Sequence, residues 1–330
     1  MSQLEIRVLD ERSAAGLVAC IHRCYGTSYP GSDFLDASVL TREVHAGRLA
    51  GRVAVTGSGR VVAHLGARFD VPGDCVADTV AGFVDPAYRG RHLLRDLGAA
   101  MSREFQERSL AGLRSYATGA HTRTQNMIVA AGGHVTGILL GHIPSGTEYR
   151  GIGHGFGAAR IGAVVFYQSF RPMSPLRVSL PERWRDLVES MYREIGLDRV
   201  LEPVGRGEKP VGGLRLDLRQ GVATIRLGGG DQPLERLLEA LPDPDVEVAY
   251  VDVPLAAEAR VGEIAGELLA ERGFVFGALL PGSHASEVLR LQRVDPMRIA
   301  PAQIQLVSST PASLLRRIVD EVTLAPLGGV

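Results

Sequence analysis

The chain has 330 residues, 45% hydrophobic and 22% charged, with a formal net charge of −1. Such a length suggests about two globular domains, each able to bury a full core. The near-zero charge excludes a global basic field for nucleic acid or membrane, and no apolar run approaches the roughly 18 residues of a spanning helix. The first residues, MSQLEIRVLDERS, alternate and carry charge, unlike a signal peptide. Leu4 to Leu9 reads as a first strand. Asp10 or Ser13 caps the helix that follows, which turns Leu17, Val18 and Ile21 inward. Cys20 and Cys24 lie four apart on it, and Cys75 is the third cysteine. No second ligand pair stands near them at metal spacing, so buried thiols, no metal and a reducing cytoplasm are expected. The hydroxyl-rich loop Tyr25-Gly26-Thr27-Ser28-Tyr29-Pro30 ends this helix. Leu35 to Ala46 reads as a second helix, closed by Gly47. Arg52 to Thr56 and Val61 to Phe69 are strands joined through Gly57-Ser58-Gly59, a hairpin signal.

The next stretch organises the rest. Val80, Phe83 and Val84 form an apolar strand that Asp85-Pro86 stops. Leu93, Leu94, Leu97, Ala100 and Met101 then recur at the spacing of one helix face. Between them lies Arg89-Gly90-Arg91. A strand feeding a helix through such a turn leaves the first helical N–H groups without intrahelical partners, at the positive end of the macrodipole. Gly90 lets a ligand approach the backbone, and two arginines can pair with phosphate. The turn reads either as a diphosphate cradle or as a solvated basic turn. Leu113 to Ala117 is a further strand, Gln125 to Ala131 a helix, and Val135 to Ile143 a strand leaving it through Gly132-Gly133.

Val84-Asp85-Pro86-Ala87-Tyr88-Arg89-Gly90-Arg91 resembles the coenzyme A motif of the GNAT N-acetyltransferase superfamily, V-x-P-x-x-R-G-x-G-x-G/A. Two later small positions are here His92, which offers a donor, and Leu94, which narrows the cradle. The order of elements over residues 1–145 is the GNAT order. The segments CYGTSYP, VVAHLG and ATGAHTRTQN, the last with Thr118, His121, Thr124 and Gln125, resemble a bacterial two-domain GNAT subgroup. The resemblance implies a mixed α/β GNAT acyl-CoA N-acyltransferase fold over 1–145.

Residues 146–175 read as a glycine-rich linker, with Ile161 to Tyr167 adding an edge strand to the first domain. GIGHGFG nearly matches a nucleotide-binding glycine pattern, but no strand precedes it and no periodic helix follows at once, so it reads as a loop. The pattern restarts over 176–330. Val178 to Leu180 leads to a helix with Trp184, Leu187, Val188 and Met191. A hairpin, Leu214 to Leu218 and Val222 to Leu227, precedes a helix over Leu234 to Leu241 and a strand, Val246 to Val253. A helix with Val261, Ile264, Leu268 and Leu269, the strands Phe274 to Leu280 and Val288 to Val294, and a helix over Pro311 to Val322 close the chain. This order resembles a degenerate GNAT-like copy. After Val253-Pro254 no Arg-Gly turn follows, so the second domain is expected to lack a cradle, to close one side of the substrate cleft and to offer a homodimer surface.

The resemblance implies acetyl-CoA or another acyl-CoA as co-substrate. Phe83, Val84, Arg89, Gly90, Arg91, His92, Leu93, Leu94, Gln125 and Asn126 are its expected contacts, with backbone amides near Phe83 and Val84 meeting charge on the acyl oxygen. A bulge beside Gly82 would free those amides. An ammonium acceptor with a pKa of about 10.4 must lose a proton. Asp78, His64 and His121 are the candidate bases. The helix tyrosine that often protonates the leaving thiolate falls at Val129, so His121, Tyr25, Tyr29 or solvent must replace it. Tyr25, Tyr29 and Thr122 are the expected acceptor contacts. The expected function is acyl transfer, most simply acetyl transfer, to the amine of a small polar metabolite in specialised metabolism. Two alternatives stand beside it: a donor tethered to a carrier protein or tRNA, and a non-catalytic acyl-CoA-binding or structural protein.

Overall fold

A computed structural model describes residues 4–70, 72–202, 210–241, 246–257, 262–282 and 287–324. The chain gathers into two compact units. One comprises residues 1–116 with 146–154, the other 117–145 with 155–330.

In the first unit, β1 (Leu4–Val8) leads to α1 (Glu11–Tyr25). Asp10 accepts from Ser13 N–H while Ser13 Oγ takes the Asp10 N–H, a reciprocal cap that satisfies two otherwise orphan donors. A 3₁₀ turn at Ser32–Leu35 precedes α2 (Ala37–His45), which starts later than its apolar pattern suggests because Asp36 caps it. Strands β2 (Leu49–Thr56), β3 (Val61–Arg68) and β4 (Val76–Val84), helix α3 (Leu93–Glu107) and β5 (Gly112–Thr118) follow. The sheet runs β1-β2-β3-β4-β5, antiparallel as far as β4 and parallel between β4 and β5. A parallel pair needs a crossover, and α3 is that crossover. On one face α1 and α2 bury Leu17, Ile21, Phe34 and Leu40 with Phe83. Leu65, one residue along β3 from His64, stands toward Gly82 and Gly98 instead, on the α3 face. This is the order of elements that the GNAT resemblance implies as far as β5.

The second unit begins with α4 (Arg123–Ala130) and β6 (His134–Ile143). β7 (Ile161–Ser169) pairs antiparallel with β6 and is buried from Ile161 to Tyr167. Its unbroken apolar run suits a strand covered on both faces, not the edge strand of the first domain that the sequence suggests. Then come β8 (Leu176–Ser179), α5 (Arg185–Ile195), β9 (Arg199–Glu202), β10 (Val211–Asp217), β11 (Val222–Leu227), β12 (Gln232–Pro233) and α6 (Leu234–Glu239). β13 (Val248–Pro254), α7 (Gly262–Glu271), β14 (Val275–Leu280), β15 (Val288–Val294) and α8 (Ser309–Leu324) complete it. Val261 and the side chain of Ile264 lie outside the described residues. Strand order is β7-β6-β14-β15-β13-β11-β10-β12, and β8 and β9 form a separate parallel pair. α8 packs on β6 and β14, and Trp184 Nε1 donates to Glu321 on it at 3.3 Å.

Connectivity in the second unit corrects one expectation. β11-α6-β13 is a parallel pair with a helical crossover, as β4-α3-β5 is, so the counterpart of the Arg-Gly turn follows β11 and not β13. There the chain reads Gly228-Gly229-Gly230, and it folds back so that Gln232 and Pro233 pair with Gly212 and Val211. Neighbouring backbone fills the space over Gly230.

Candidate active site

The site is built where β4 leaves its neighbours. β4 pairs with β5 through Val76↔Gly112, Ala77↔Leu113 and Asp78↔Arg114, and the ladder stops there although both strands continue. Val76 and Ala77 are buried, whereas Asp78 to Ala81 are half-exposed and Gly82 is exposed. The strands part at an ion pair. Arg114, buried, donates to both Asp78 oxygens at 2.7 and 3.2 Å, and Asp70 stands 3.9 Å away. These carboxylates hold Arg114 well above its ordinary pKa against its burial. Asp78 is therefore engaged as a clasp, both of its oxygens accepting from a guanidinium, where its position suggests a general base.

Beyond the clasp, β4 bulges. His64 pairs with Phe83 and Gly66 with Val80, so Ala81 and Gly82 together oppose Leu65. Ala81 takes a left-handed φ of 53°, which costs a residue with a Cβ about 1 kcal/mol or more. Asp85 N–H donates to Val62 at 2.9 Å. By strand alternation the Val84 amide points to the opposite edge, the one β5 has left. Phe83 faces β3 with its backbone, so Val84, not Phe83, supplies an amide to the opening. The ring of Phe83 is its contribution.

That ring anchors an aromatic wall. Tyr25 and Tyr29 lie edge-on to it at centroid distances of 6.1 and 6.3 Å and stand 4.9 Å from each other. Tyr149 adds a third hydroxyl-bearing ring 5.6 Å from Tyr25, and Phe34 lies 6.2 Å from Tyr29. Burial, reinforced by neighbouring phenols, raises the pKa of Tyr25 and Tyr29, so both keep their protons at neutral pH. Tyr149 arrives on a segment that the sequence suggests is a mere linker. Residues 146–154 form a strap on the first unit. Arg150 N–H donates to Cys24 at 3.0 Å, Glu148 N–H to Ser28 Oγ at 2.8 Å, and Arg89 Nη1 to the Arg150 carbonyl. No sequence period marks such a strap. Tyr149 between Gly146 and Gly151 is its one visible signal.

His64 is fully buried on this face, 5.7 Å from Phe83 and 6.1 Å from Phe34. Its Nδ1 lies 2.8 Å from the Ala81 carbonyl, so Nδ1 carries the proton and Nε2 is bare. Nε2 sits against Gly51 and Gly66, where a Cβ would come within 2.8 and 3.2 Å. Burial lowers its pKa to about 4. The ring is neutral, but its lone pair is sealed among backbone, which removes it from the candidate bases.

The basic turn is open. Asp85 caps the 3₁₀ turn at Pro86–Tyr88 and is gripped by Arg23 at 2.6 Å and Arg60 at 3.0 Å. Gly90 adopts φ 78°, with open space where a Cβ would stand. Arg91 stacks on Tyr88 at 4.9 Å. His92, at φ 56°, stands at the N-cap of α3 without a side-chain cap bond. Asp96 N–H is bonded to His92 O, which leaves the Leu93, Leu94 and Arg95 amides without intrahelical acceptors. Leu93 is buried, so only its amide faces this turn. Leu94 Cδ2 reaches within 4.0 Å of the Cβ position of Gly82, placing its side chain over the bulge. The residues fit an anion at the turn and an extended polar arm along β4.

The remaining candidates belong to the second unit. Gln125 is fully buried, and its amide donates to Gln305 at 2.7 Å, Thr118 at 3.3 Å and His121 at 3.5 Å. It ties the chain at 118–121 to the segment at 305, which replaces the cofactor contact expected of it. Thr122 is the N-cap of α4 without a side-chain cap bond, His121 is half-buried beside it, and Asn126 is exposed. Val129 is exposed and brings no hydroxyl. Among the described residues no cluster of three His, Cys, Asp or Glu could hold a metal, and no helix is long and apolar enough to cross a membrane.

No protein-family profile and no curated protein sequence matches the chain. Solved structures do resemble it. The ribosomal-protein-S18-alanine N-acetyltransferase from Escherichia coli shares 14% identity at a TM-score of 0.42, over 52% of this chain and 97% of that one. A GNAT family N-acetyltransferase from Escherichia coli in complex with CoA shares 19% at 0.32, over 38% and 68%. An N-acetyltransferase from Staphylococcus aureus shares 11% at 0.41, over 52% and 100%.

Proposed function

We propose that this chain is an acyl-coenzyme A-dependent N-acyltransferase acting on the amine of a small polar metabolite in the cytoplasm. One observation carries the reading: β4 parts from β5 at Asp78 and Arg114, and its free edge runs past a bulge to an open, basic helix N-terminus. Coenzyme A has the matching chemistry, an arm with two amides that can pair with a strand edge and a diphosphate that suits helix amides and arginine. When bound, its thioester supplies an activated acyl carbon. The Val84 amide holds the acyl oxygen where negative charge builds. Gly90 and the amides of Leu93 and Leu94 receive the diphosphate, with Arg91 beside them. Tyr25, Tyr29 and Tyr149 wall the acceptor side. In this reading Tyr29 Oη, kept protonated by burial, returns a proton to the leaving sulfur, the role that Val129 cannot fill. The amine gives up its proton through solvent.

Isothermal titration of acetyl-CoA and of CoA tests this. Both are expected to bind, and Arg89→Ala to weaken both by about tenfold or more, since it loses a charge-assisted partner and the strap contact. Absence of binding to the native chain would overturn it. Leu94 over Gly82 favours a second reading, a donor carried on a phosphopantetheine arm of another protein. Turnover with an acylated carrier but none with free acetyl-CoA would select it.

A further inference from the structure

We infer that His64 is a positioning residue, which holds the β4 bulge through the Ala81 carbonyl and so aims the Val84 amide into the opening between β4 and β5. The catalytic meaning of this rests on the acyltransfer reading above, whereas the clasp itself does not. Ala81 is a residue with a Cβ in left-handed conformation within a strand, an arrangement that persists only where surrounding contacts over-determine it. The contact available is the His64 ring. It donates from Nδ1 to the Ala81 carbonyl at 2.8 Å from the adjacent strand, across the residue pair His64↔Phe83 that borders the bulge. Without that donor the carbonyl of a strained residue would lose the hydrogen bond that ties it to the adjacent strand.

The surroundings are shaped to this ring and exclude other roles for it. Gly51 and Gly66 leave no room for a Cβ, since one would meet the ring at 2.8 Å from either glycine. Phe34 and Phe83 flank it. Nε2 has no hydrogen-bond partner and no solvent exposure, so the ring can neither take a proton from an acceptor nor pass one outward. A buried donor used once, toward a strained carbonyl three residues before Val84, is a buttress. Ala81 and His92, two of the three described non-glycine residues in left-handed conformation, flank the same opening. Of the two, the strain at Ala81 is met by a hydrogen bond from a neighbouring strand.

The experiment compares His64→Leu, which keeps bulk and removes the donor, with His64→Asn, whose Nδ2 falls near the place of Nδ1. The first reading is the preference of the full chain for acetyl-CoA over CoA by calorimetry. His64→Leu is expected to lose that preference with CoA affinity unchanged, and His64→Asn to retain it. The second reading needs no ligand: hydrogen exchange by mass spectrometry over residues 78–86 is expected to accelerate in His64→Leu and to return toward native rates in His64→Asn. Unchanged exchange in His64→Leu overturns the clasp. Accelerated exchange with an unchanged acetyl-CoA preference overturns its aiming of Val84. If neither ligand binds the native chain, the acyltransfer reading falls while exchange still decides the clasp. Where His64→Leu loses protection throughout the first unit, failure of His64→Asn to restore residues 78–86 overturns it as well.

Discussion

Two histidines sit where their protonated forms are excluded, and this gives the chain a defined response to acid. Burial lowers His64 to about 4 and His142 to about 3, the latter with help from the Arg290 and Arg160 charges. An unfolded histidine titrates near 6.5. Below that pH the unfolded chain binds more protons than the folded one, so stability is full above about 6.5 and falls as pH drops toward the folded values. Each ring then accounts for about 2 kcal/mol lost between pH 7 and 5. Carboxylates whose pKa is lowered, such as Asp36 and Glu43, act in a separate window, below their ordinary values near 4. Urea titrations at pH 7 and 5 check this. His142→Phe, of similar bulk, is expected to remove about 2 kcal/mol of the difference, and an unchanged difference would refute the assignment to this ring.

Elements formed by local chemistry were legible in the sequence, and elements formed by distant partners were not. Asp10 before Ser13, the Gly57–Gly59 hairpin and the Asp85-Pro86 stop each act within a few residues, and each appears where the sequence puts it. The bulge was legible only as Gly82, because its strained member is Ala81. Asp78 read as a base since its partner Arg114 lies on another strand, and Gln125 read as a ligand contact since Gln305 is far along the chain. Gln292 was invisible for the same reason. β6 and β14 meet at Gly137 and Ala278, so closely that a Cβ on Gly137 would lie 2.3 Å from that of Ala278. Beyond that point the side chain of Gln292, buried on β15, replaces the ladder: it accepts from Leu140 N–H at 2.9 Å and donates to Ile138 and Phe276 carbonyls at 2.8 and 2.9 Å. Gln292→Leu keeps the bulk and leaves buried backbone groups unpaired, at about 3 kcal/mol. Denaturation followed by the fluorescence of Trp184, the single tryptophan, buried in the same unit, would show the loss. A change under about 0.5 kcal/mol, the range of ordinary surface substitutions, would mean that water or relaxation satisfies those groups.

At the scale of the molecule, the boundary that the sequence suggests at residue 145 and the grouping of the folded chain part company over α4 and β6. β6 has β7 on one side and β14 on the other, both encoded after residue 145, and α8 covers the same strand. Ile138, Leu139 and Leu140 are buried in that setting. A chain ending at 145 would keep the GNAT-like order of elements yet present β6 with two bare edges and an uncovered apolar face, the arrangement that sheets avoid because it pairs with other chains. It would also lose the strap, and with it Tyr149 from the aromatic wall and the carbonyl that Arg89 binds. The fragment 1–145 is therefore expected to aggregate or to lack a cooperative thermal transition, whereas the full chain unfolds cooperatively. Calorimetry and sedimentation of both would decide it. A soluble fragment with a sharp transition would show that β6 finds its partners within the first 145 residues. Such a fragment that also bound acetyl-CoA would show that donor binding needs neither the strap nor the second unit. Failure of the fragment beside a cooperatively folding full chain would mean that residues after 145 are needed to build the fold of α4 and β6.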